Sequence, residues 1–232
     1  NLSPQAFRQE FEASFESSSN AAYKTFNRAI HLKEIELDRN LPLCLSFDFN
    51  TKFMTTTVSQ IRDGNESKGE QFKVIDVYRS IVTENTSTQG HCNEIKFWLK
   101  QIDWQGEIYL YGDATGGSRS VQSDDLSHNW DKIQNNFPTA CLNIPRKNPD
   151  QRNRVESVVT KLMNGADQVG VFINKNGCLP LIEDFEQARW KGNVIDKCDE
   201  DIGRIHNSEN FGYLVYQEFP DVTSKRVQFA FA

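Results

Sequence analysis

Apolar and polar residues alternate along this chain in two distinct periods, and the change of period marks its elements. Residues 43–48, 55–60 and 72–82 are rich in apolar, β-branched and aromatic side chains and predict strands. Asp63-Gly64-Asn65 predicts a turn between the second and the third. Ahead of them, residues 4–28 show helical spacing through Phe7, Phe11, Phe15, Tyr23 and Phe26. Residues 93–101 predict an amphipathic helix with Ile95, Trp98 and Leu99 on one face, 108–113 a strand, and 130–137 a helix. The second half then alternates. A strand over 140–144 precedes a helix over 154–163 that starts after Asn148-Pro149-Asp150. A strand over 169–173 is stopped by Asn174-Lys175-Asn176-Gly177, and a helix over 179–190 is ended by Gly192. A last helix covers 206–217, stopped by Pro220. Three antiparallel strands followed by alternating helices and strands describe a mixed α/β sheet, with no internal repeat.

Two of the predicted strands end in a carboxylate. Asp48 closes Leu43-Cys44-Leu45-Ser46-Phe47-Asp48, and Asp113 closes Ile108-Tyr109-Leu110-Tyr111-Gly112-Asp113. A charge at the end of a buried strand is costly unless something pairs with it, and a divalent cation is a common partner. Two such strands side by side would build a metal-binding acid pair. The competing reading is a turn or cap aspartate, which is strongest for Asp113 because Gly-Asp-Ala-Thr-Gly makes a good turn. Asp76 lies within the predicted strand 72–82 and reads as solvent-facing, with a fourth acid near the site as the alternative. His31, His91 and His128 have no acidic or histidine partner at ligand spacing and read as surface or capping residues.

Composition adds limits. The chain has 232 residues, 38% of them hydrophobic and 16 of them Phe, which suffices for one large packed domain. No apolar run approaches membrane-spanning length, and the polar first residues do not resemble a signal peptide. The five cysteines (Cys44, Cys92, Cys141, Cys178, Cys198) are scattered without a CxxC pair. That argues against a disulfide framework or a structural zinc site and fits a reducing cytoplasm, with Cys44 and Cys141 read as small buried hydrophobes. There is no GxxxxGK[ST] phosphate loop.

The formal net charge of −6 counts mildly against nucleic-acid binding. Its distribution points the other way. Between Ala140 and Lys161, Arg146, Lys147, Arg152, Arg154 and Lys161 outnumber Asp150 and Glu156, a local net of +3. Between Glu183 and Asp201 seven acids face three bases, a local net of −4. A basic stripe near an acidic centre suits a metal-dependent phosphodiesterase, in which cations hold the backbone and carboxylates hold metal. Arg119, after the Asp113 loop, together with Arg152 and Arg154 at a helix start, offers guanidinium geometry matched to phosphate. Ordinary solvated faces and surface salt bridges would explain the same counts.

Taken together, these motifs resemble the C-terminal nuclease domain of tailed-phage terminase large subunits. Leu45-Ser46-Phe47-Asp48-Phe49-Asn50 resembles the family's first strand and first metal-binding aspartate, with Met54 and Gln60 at positions of the next strand. Tyr111-Gly112-Asp113-Ala114-Thr115-Gly116 resembles the strand carrying the second acid. Asn148-Pro149 followed by Arg152, Arg154 and Val155 resembles the basic helix start, and residues 178–184 the penultimate helix. His206-Asn207-Ser208-Glu209-Asn210-Phe211-Gly212-Tyr213 resembles the last helix, with Glu209 where the family usually has aspartate. Asp201 is the alternative third ligand, although Asp199, Glu200 and Asp201 also read as a solvated acidic turn.

The resemblance implies an α/β, ribonuclease H-like fold: a mixed sheet of five or more strands with helices on both faces. It implies an N-terminal helical arm or linker over 1–38 and a nuclease domain over 39–232, with the ATPase motor half absent from this chain. It further implies an endonuclease that hydrolyses double-stranded phage DNA during genome packaging in the host cytoplasm. Two Mg²⁺ or Mn²⁺ ions would be held by Asp48, Asp113 and Glu209, with His206 orienting water or phosphate. Arg119, Arg146, Lys147, Arg152 and Arg154 would contact DNA, and the motor domain, portal and small terminase subunit would be partners. Two alternatives stay open: an inactive docking module with a degenerate acid cluster, and another ribonuclease H-like nuclease of the resolvase type.

Overall fold

A computed structural model describes residues 20–49, 52–64, 72–114, 129–196 and 205–220. Seven strands form one sheet: β1 (Leu32–Lys33), β2 (Leu43–Phe49), β3 (Phe53–Asp63), β4 (Lys73–Glu84), β5 (Ile108–Gly112), β6 (Cys141–Leu142) and β7 (Val171–Asn174). Their order is β1-β7-β4-β3-β2-β5-β6. β3 runs antiparallel to both neighbours, and every other pairing is parallel. The helices among the described residues are α1 (Arg28–His31), α2 (Thr88–Gln101), α3 (Asn129–Asn136), α4 (Gln151–Leu162), α5 (Leu179–Gln187) and α6 (His206–Glu218). This is the expected α/β architecture, a mixed sheet of more than five strands, with β7 and β1 at one side.

Alternation along β2 assigns the faces. Leu43, Leu45 and Phe47, all fully buried, join Ile95, Trp98 and Leu99 of α2 and Trp130 and Ile133 of α3 in one core. Phe47 meets Trp130 edge-on with ring centroids 5.8 Å apart. Cys44 points the other way, into a second core built with α4, α5 and α6. A period of two in a buried strand gives both faces apolar residues, so β2 is central and the helices sit on both sides.

Local chemistry fixes the helix starts. Ser87 caps α2 by accepting from Gly90 N–H, and Asp150 caps α4 by accepting from Arg152 and Asn153 N–H. Both helices therefore begin earlier than their apolar spacing indicates. The expected helix over 179–190 stops at Gln187 instead. Ala188 is extended and its carbonyl accepts from Ala22 N–H at 3.0 Å, while Trp190 N–H donates to Asn20 O at 2.7 Å. The chain then turns through Gly192 (φ 66°) into a hairpin of β8 (Trp190–Lys191) and β9 (Val194–Ile195). The strand over 140–144 shrinks to β6, an edge strand in which Cys141 is exposed rather than buried.

Further expectations need correction. His91 is not a surface residue: it is fully buried, with Thr56 Oγ1 2.7 Å from Nε2 and Thr83 Oγ1 2.7 Å from Nδ1, and burial depresses its pKa to about 4. His31 is likewise buried, with Nε2 3.1 Å from Leu162 O at the end of α4. Asp76 is buried on β4 and ion-paired with Arg62 of the neighbouring β3, so it does not face solvent. Ala22, Tyr23 and Phe26 belong to the core beside α4 and α5, and β1 lies on the sheet edge. The helix expected over 4–28 otherwise lies outside the described residues, as do His128, Cys198 and part of the turn at 63–65.

Gly112 ends β5 where it meets β2 most closely. Its φ is 154°, and a Cβ there would lie 2.6 Å from Phe47 O and 3.0 Å from Trp130. Gly112→Ala should therefore destabilise the protein by about 1–3 kcal/mol, because β2 or Trp130 must shift. Gly165, with nothing within 4 Å of such a Cβ, is the control and should change by less than about 0.5 kcal/mol on mutation to Ala. Urea unfolding of the two variants measures both, and equal midpoints would show that the approach at Gly112 is not tight.

Candidate metal centre

The pairing of β2 with β5 sets the acids side by side. Phe47 is in register with Gly112, the last residue of the parallel neighbour, so Asp48 on β2 and Asp113 just past the end of β5 follow that pair. Asp48 is 8% exposed, the last buried residue of β2 before half-buried Phe49. The third group comes from α6, which lies across β2 and β3 on the same face.

Polar side chains seat that helix. Asn210, fully buried, accepts from Thr57 Oγ1 at 2.7 Å and donates from Nδ2 to Thr55 Oγ1 at 2.8 Å. Ser46 Oγ donates to Asn210 O, and Thr55 Oγ1 donates to His206 O at 3.2 Å. Hydroxyls on the core face of β2 and β3 thus satisfy the helix in place of apolar packing, and a displaced α6 would leave them buried and unpaired.

So seated, α6 carries His206 and Glu209, three residues apart, onto Asp48. His206 Nδ1 is 2.8 Å from Asp48 Oδ2. One ligand atom from each of Asp48, His206 and Glu209 lies within 4.8 Å of the others. Among the described residues this is the one such cluster of three or more acids, histidines or cysteines. Burial alone would lower the pKa of His206. The bond and charge of Asp48, helped by Glu209 and Asp184, outweigh burial and hold it above the ordinary histidine value.

Each acid is fixed by neighbours. Asp113 Oδ1 accepts from Asn148 Nδ2 at 2.6 Å, Asn148 Oδ1 accepts from Ala114 N–H, and Trp130 Nε1 donates to Asp113 O at 2.9 Å. Glu209 Oε1 accepts from Gln151 Nε2 at 2.7 Å and lies 3.3 Å from Arg154 Nη2. Asp113 is not within the 4.8 Å group. It shares the site's field, however: burial raises the pKa of Tyr213, Arg154 opposes this, and Asp113, Asp48 and Glu209 all add to it.

The basic residues part company. Arg146 and Lys147 are exposed on the loop before α4. Arg152 is exposed too, its guanidinium 4.8 Å from the centre of the Trp190 ring and bonded to Gly192 and Asn193 of the hairpin turn. Arg154 differs from the expected surface location. It is 6% exposed, with its guanidinium on Glu209 and 4.2 Å from the centre of the Tyr213 ring. Arg119 and Asp201 lie outside the described residues.

Sequence reasoning passed over Asn148, Gln151, Asp184 and Asn210 as site-building residues. The Thr55-Thr56-Thr57 run inside a buried strand was the available signal, since such hydroxyls require partners. Asp184, fully inside the protein on α5, accepts from Ile205 N–H with Oδ1 and from Ser208 N–H with Oδ2, each at 2.8 Å. It thereby caps α6 from another helix. Ile205 needs that hold: its φ of 71° is left-handed, a conformation costing a β-branched residue about 1–3 kcal/mol.

Comparison with solved structures shows the same fold in large terminases. The large terminase of a thermophilic bacteriophage, in its second crystal form, aligns over 93% of this chain and 52% of its own, with TM-score 0.60 and 11% identity. The large terminase nuclease of thermophilic phage G20c, solved with bound cobalt, aligns over 85% of this chain and 96% of its own, with TM-score 0.53 and 11% identity. The chain thus spans about half the length of the first protein and nearly all of the G20c nuclease. No protein-family model matches it, and no curated protein matches it in sequence. No helix among the described residues is long and apolar enough to cross a membrane.

Burial pushes the Asp184 carboxyl up to about 7 against the pull of the Ser208 and Ile205 N–H groups and of His206. A carboxyl whose pKa is higher folded than unfolded takes up a proton on folding between about pH 4 and 7. Its contribution to stability therefore falls as pH rises through that window. The melting temperature of wild type relative to Asp184→Asn should drop between about pH 5 and pH 7.5. A constant difference would mean that Asp184 keeps one protonation state throughout.

Proposed function

We propose that this chain is a metal-dependent endonuclease that hydrolyses phosphodiester bonds of double-stranded DNA. The observation that carries this reading is the gathering of Asp48, His206 and Glu209 within 4.8 Å at the end of β2, with Asp113 just past the end of the neighbouring β5. The donor set fits the metal: buried carboxylate oxygens with one imidazole suit Mg²⁺ or Mn²⁺. Asp48, Glu209 and Asp113 would hold two such ions, and Asp201 is the alternative third ligand. When bound, the ions would acidify a water and offset charge developing on the phosphate and the departing oxygen.

The chain's own groups do the rest. His206 gives Asp48 Oδ2 a hydrogen bond, which would leave the other oxygen to an ion. Asn148 does the same for Asp113. Exposed Arg146, Lys147 and Arg152, with Arg119, hold the DNA backbone, so cleavage depends little on base sequence. The biological setting in this reading is phage genome packaging in the host cytoplasm, with an ATPase motor domain, a portal and a small terminase subunit as partners. Support for it is the shared fold with large terminases.

Plasmid nicking in Mn²⁺ is the test. Substitution of residues that merely orient a ligand costs about 10–100-fold, so loss of a ligand in Asp48→Asn should cost about 100-fold or more. Undiminished nicking by Asp48→Asn would remove Asp48 from the chemistry and the mechanism with it. Asp113→Ala should follow Asp48→Asn. If wild type takes up no Mn²⁺, or Asp113→Ala takes it up undiminished and neither protein nicks, the chain is a docking module rather than a nuclease.

A further inference from the structure

Glutamate reaches further than aspartate but has one more torsion to fix, and a ligand that samples several rotamers binds metal poorly. The surroundings of Glu209 remove that freedom. Gln151 and Arg154 stand three residues apart on α4 and so share the face turned to α6. Opposite them, Glu209, Gly212 and Tyr213 share a face of α6. Gln151 Nε2 and Arg154 Nη2 both address the same oxygen, Oε1. Among the described residues no donor engages Oε2.

Both donors are themselves fixed. Gln151 Oε1 accepts from Ile195 N–H of β9 at 3.2 Å, which orients the amide so that its NH₂ faces Glu209. Arg154 lies over the Tyr213 ring, and its stem fills the space left by Gly212, where a Cβ would come within 2.8 Å of Arg154 Cγ. The guanidinium cannot shed its charge, so it sits buried as a permanent counter-ion to Glu209. The arrangement thus divides the carboxylate's two oxygens between protein and cluster.

We infer that Gln151 and Arg154 are positioning residues that clamp Oε1 of Glu209 and so present Oε2 to a divalent ion shared with Asp48. The inference rests on the metal-centre reading above. The clamp reads side-chain length: an aspartate at 209 falls short of Gln151 and Arg154 and loses the orientation that glutamate keeps.

Calorimetric titration of the metal-free full chain with MnCl₂ tests this without any cleavage readout. Gln151→Leu is the main variant because Gln151 is only partly buried, and a thermal melt confirms that it is folded. Its Mn²⁺ Kd should rise about 10–100-fold, the usual effect of losing an orienting partner. Glu209→Asp should raise Kd by about fivefold or more in wild type but by less than about twofold in Gln151→Leu, where the clamp is already broken. Arg154→Met, which retains bulk over Tyr213, should act in the same direction as Gln151→Leu. A folded Gln151→Leu with Kd within about twofold of wild type overturns the inference, as does an equal cost of Glu209→Asp in both backgrounds. Asp48→Asn separates the two readings. If it abolishes Mn²⁺ binding while Gln151→Leu does not weaken it, only the clamp fails; if it binds as wild type does, the metal centre and the clamp fail together.

Discussion

The seating of α6 on β2 and β3 is the interaction from which the rest of the site follows. It is polar where a helix-on-sheet contact is usually apolar, and that difference gives it a register. Apolar side chains tolerate sliding by a fraction of a turn, whereas Asn210 between Thr55 and Thr57 does not, because a shift would strand buried hydroxyls and an amide. One consequence is that the spacing between His206 and Asp48 is set by hydrogen bonds made a full turn away. The acids can then crowd together because the protein has fixed them before any cation arrives, with Arg154 supplying positive charge to Glu209 and His206 a hydrogen bond to Asp48.

Support comes in layers from separate elements. α5 lends Asp184 to the first turn of α6 and holds Ile205 in a conformation it would not choose alone. α4 lends Gln151 and Arg154 to the second turn, and the loop before it lends Asn148 to Asp113. The groups on α5 and α4 are far apart in sequence, yet all converge on the end of β2. The fold thus reads as a scaffold whose central strand ends where its supporting elements meet.

Much of this was legible in the chain. The strands over 43–48, 55–60 and 72–82 emerged because period-two alternation and β-branched residues coincide there, and the observed strands match each to within a few residues. The expectation that the strands leading to Asp48 and Asp113 lie side by side matches the pairing of β2 with β5. What escaped notice depended on contacts distant in sequence. The helix expected over 179–190 is helical in pattern, but pairing of 20–22 with 188–190 overrides that preference. His91 and Asp76 looked unpartnered because Thr56, Thr83 and Arg62 reach them only across the sheet. Arg154 looked like a phosphate ligand because charge counts along a chain carry no information about which face is turned inward. β1, two residues long, leaves no periodic trace at all.

The pairing of residues 20–22 with 188–190 also has a mechanical meaning. Ala22 N–H on Ala188 O and Trp190 N–H on Asn20 O form a short antiparallel clasp, and Ala188 in turn closes α5, the helix that carries Asp184. A load entering the domain at Asn20 would run along the strand axis and meet those bonds in shear, where they must break together rather than one at a time. The next stiff element on that line is α5, and beyond it the first turn of α6. Residues 20–22 are therefore fastened to the helix whose Asp184 holds the first turn of α6, and through it to the acidic cluster.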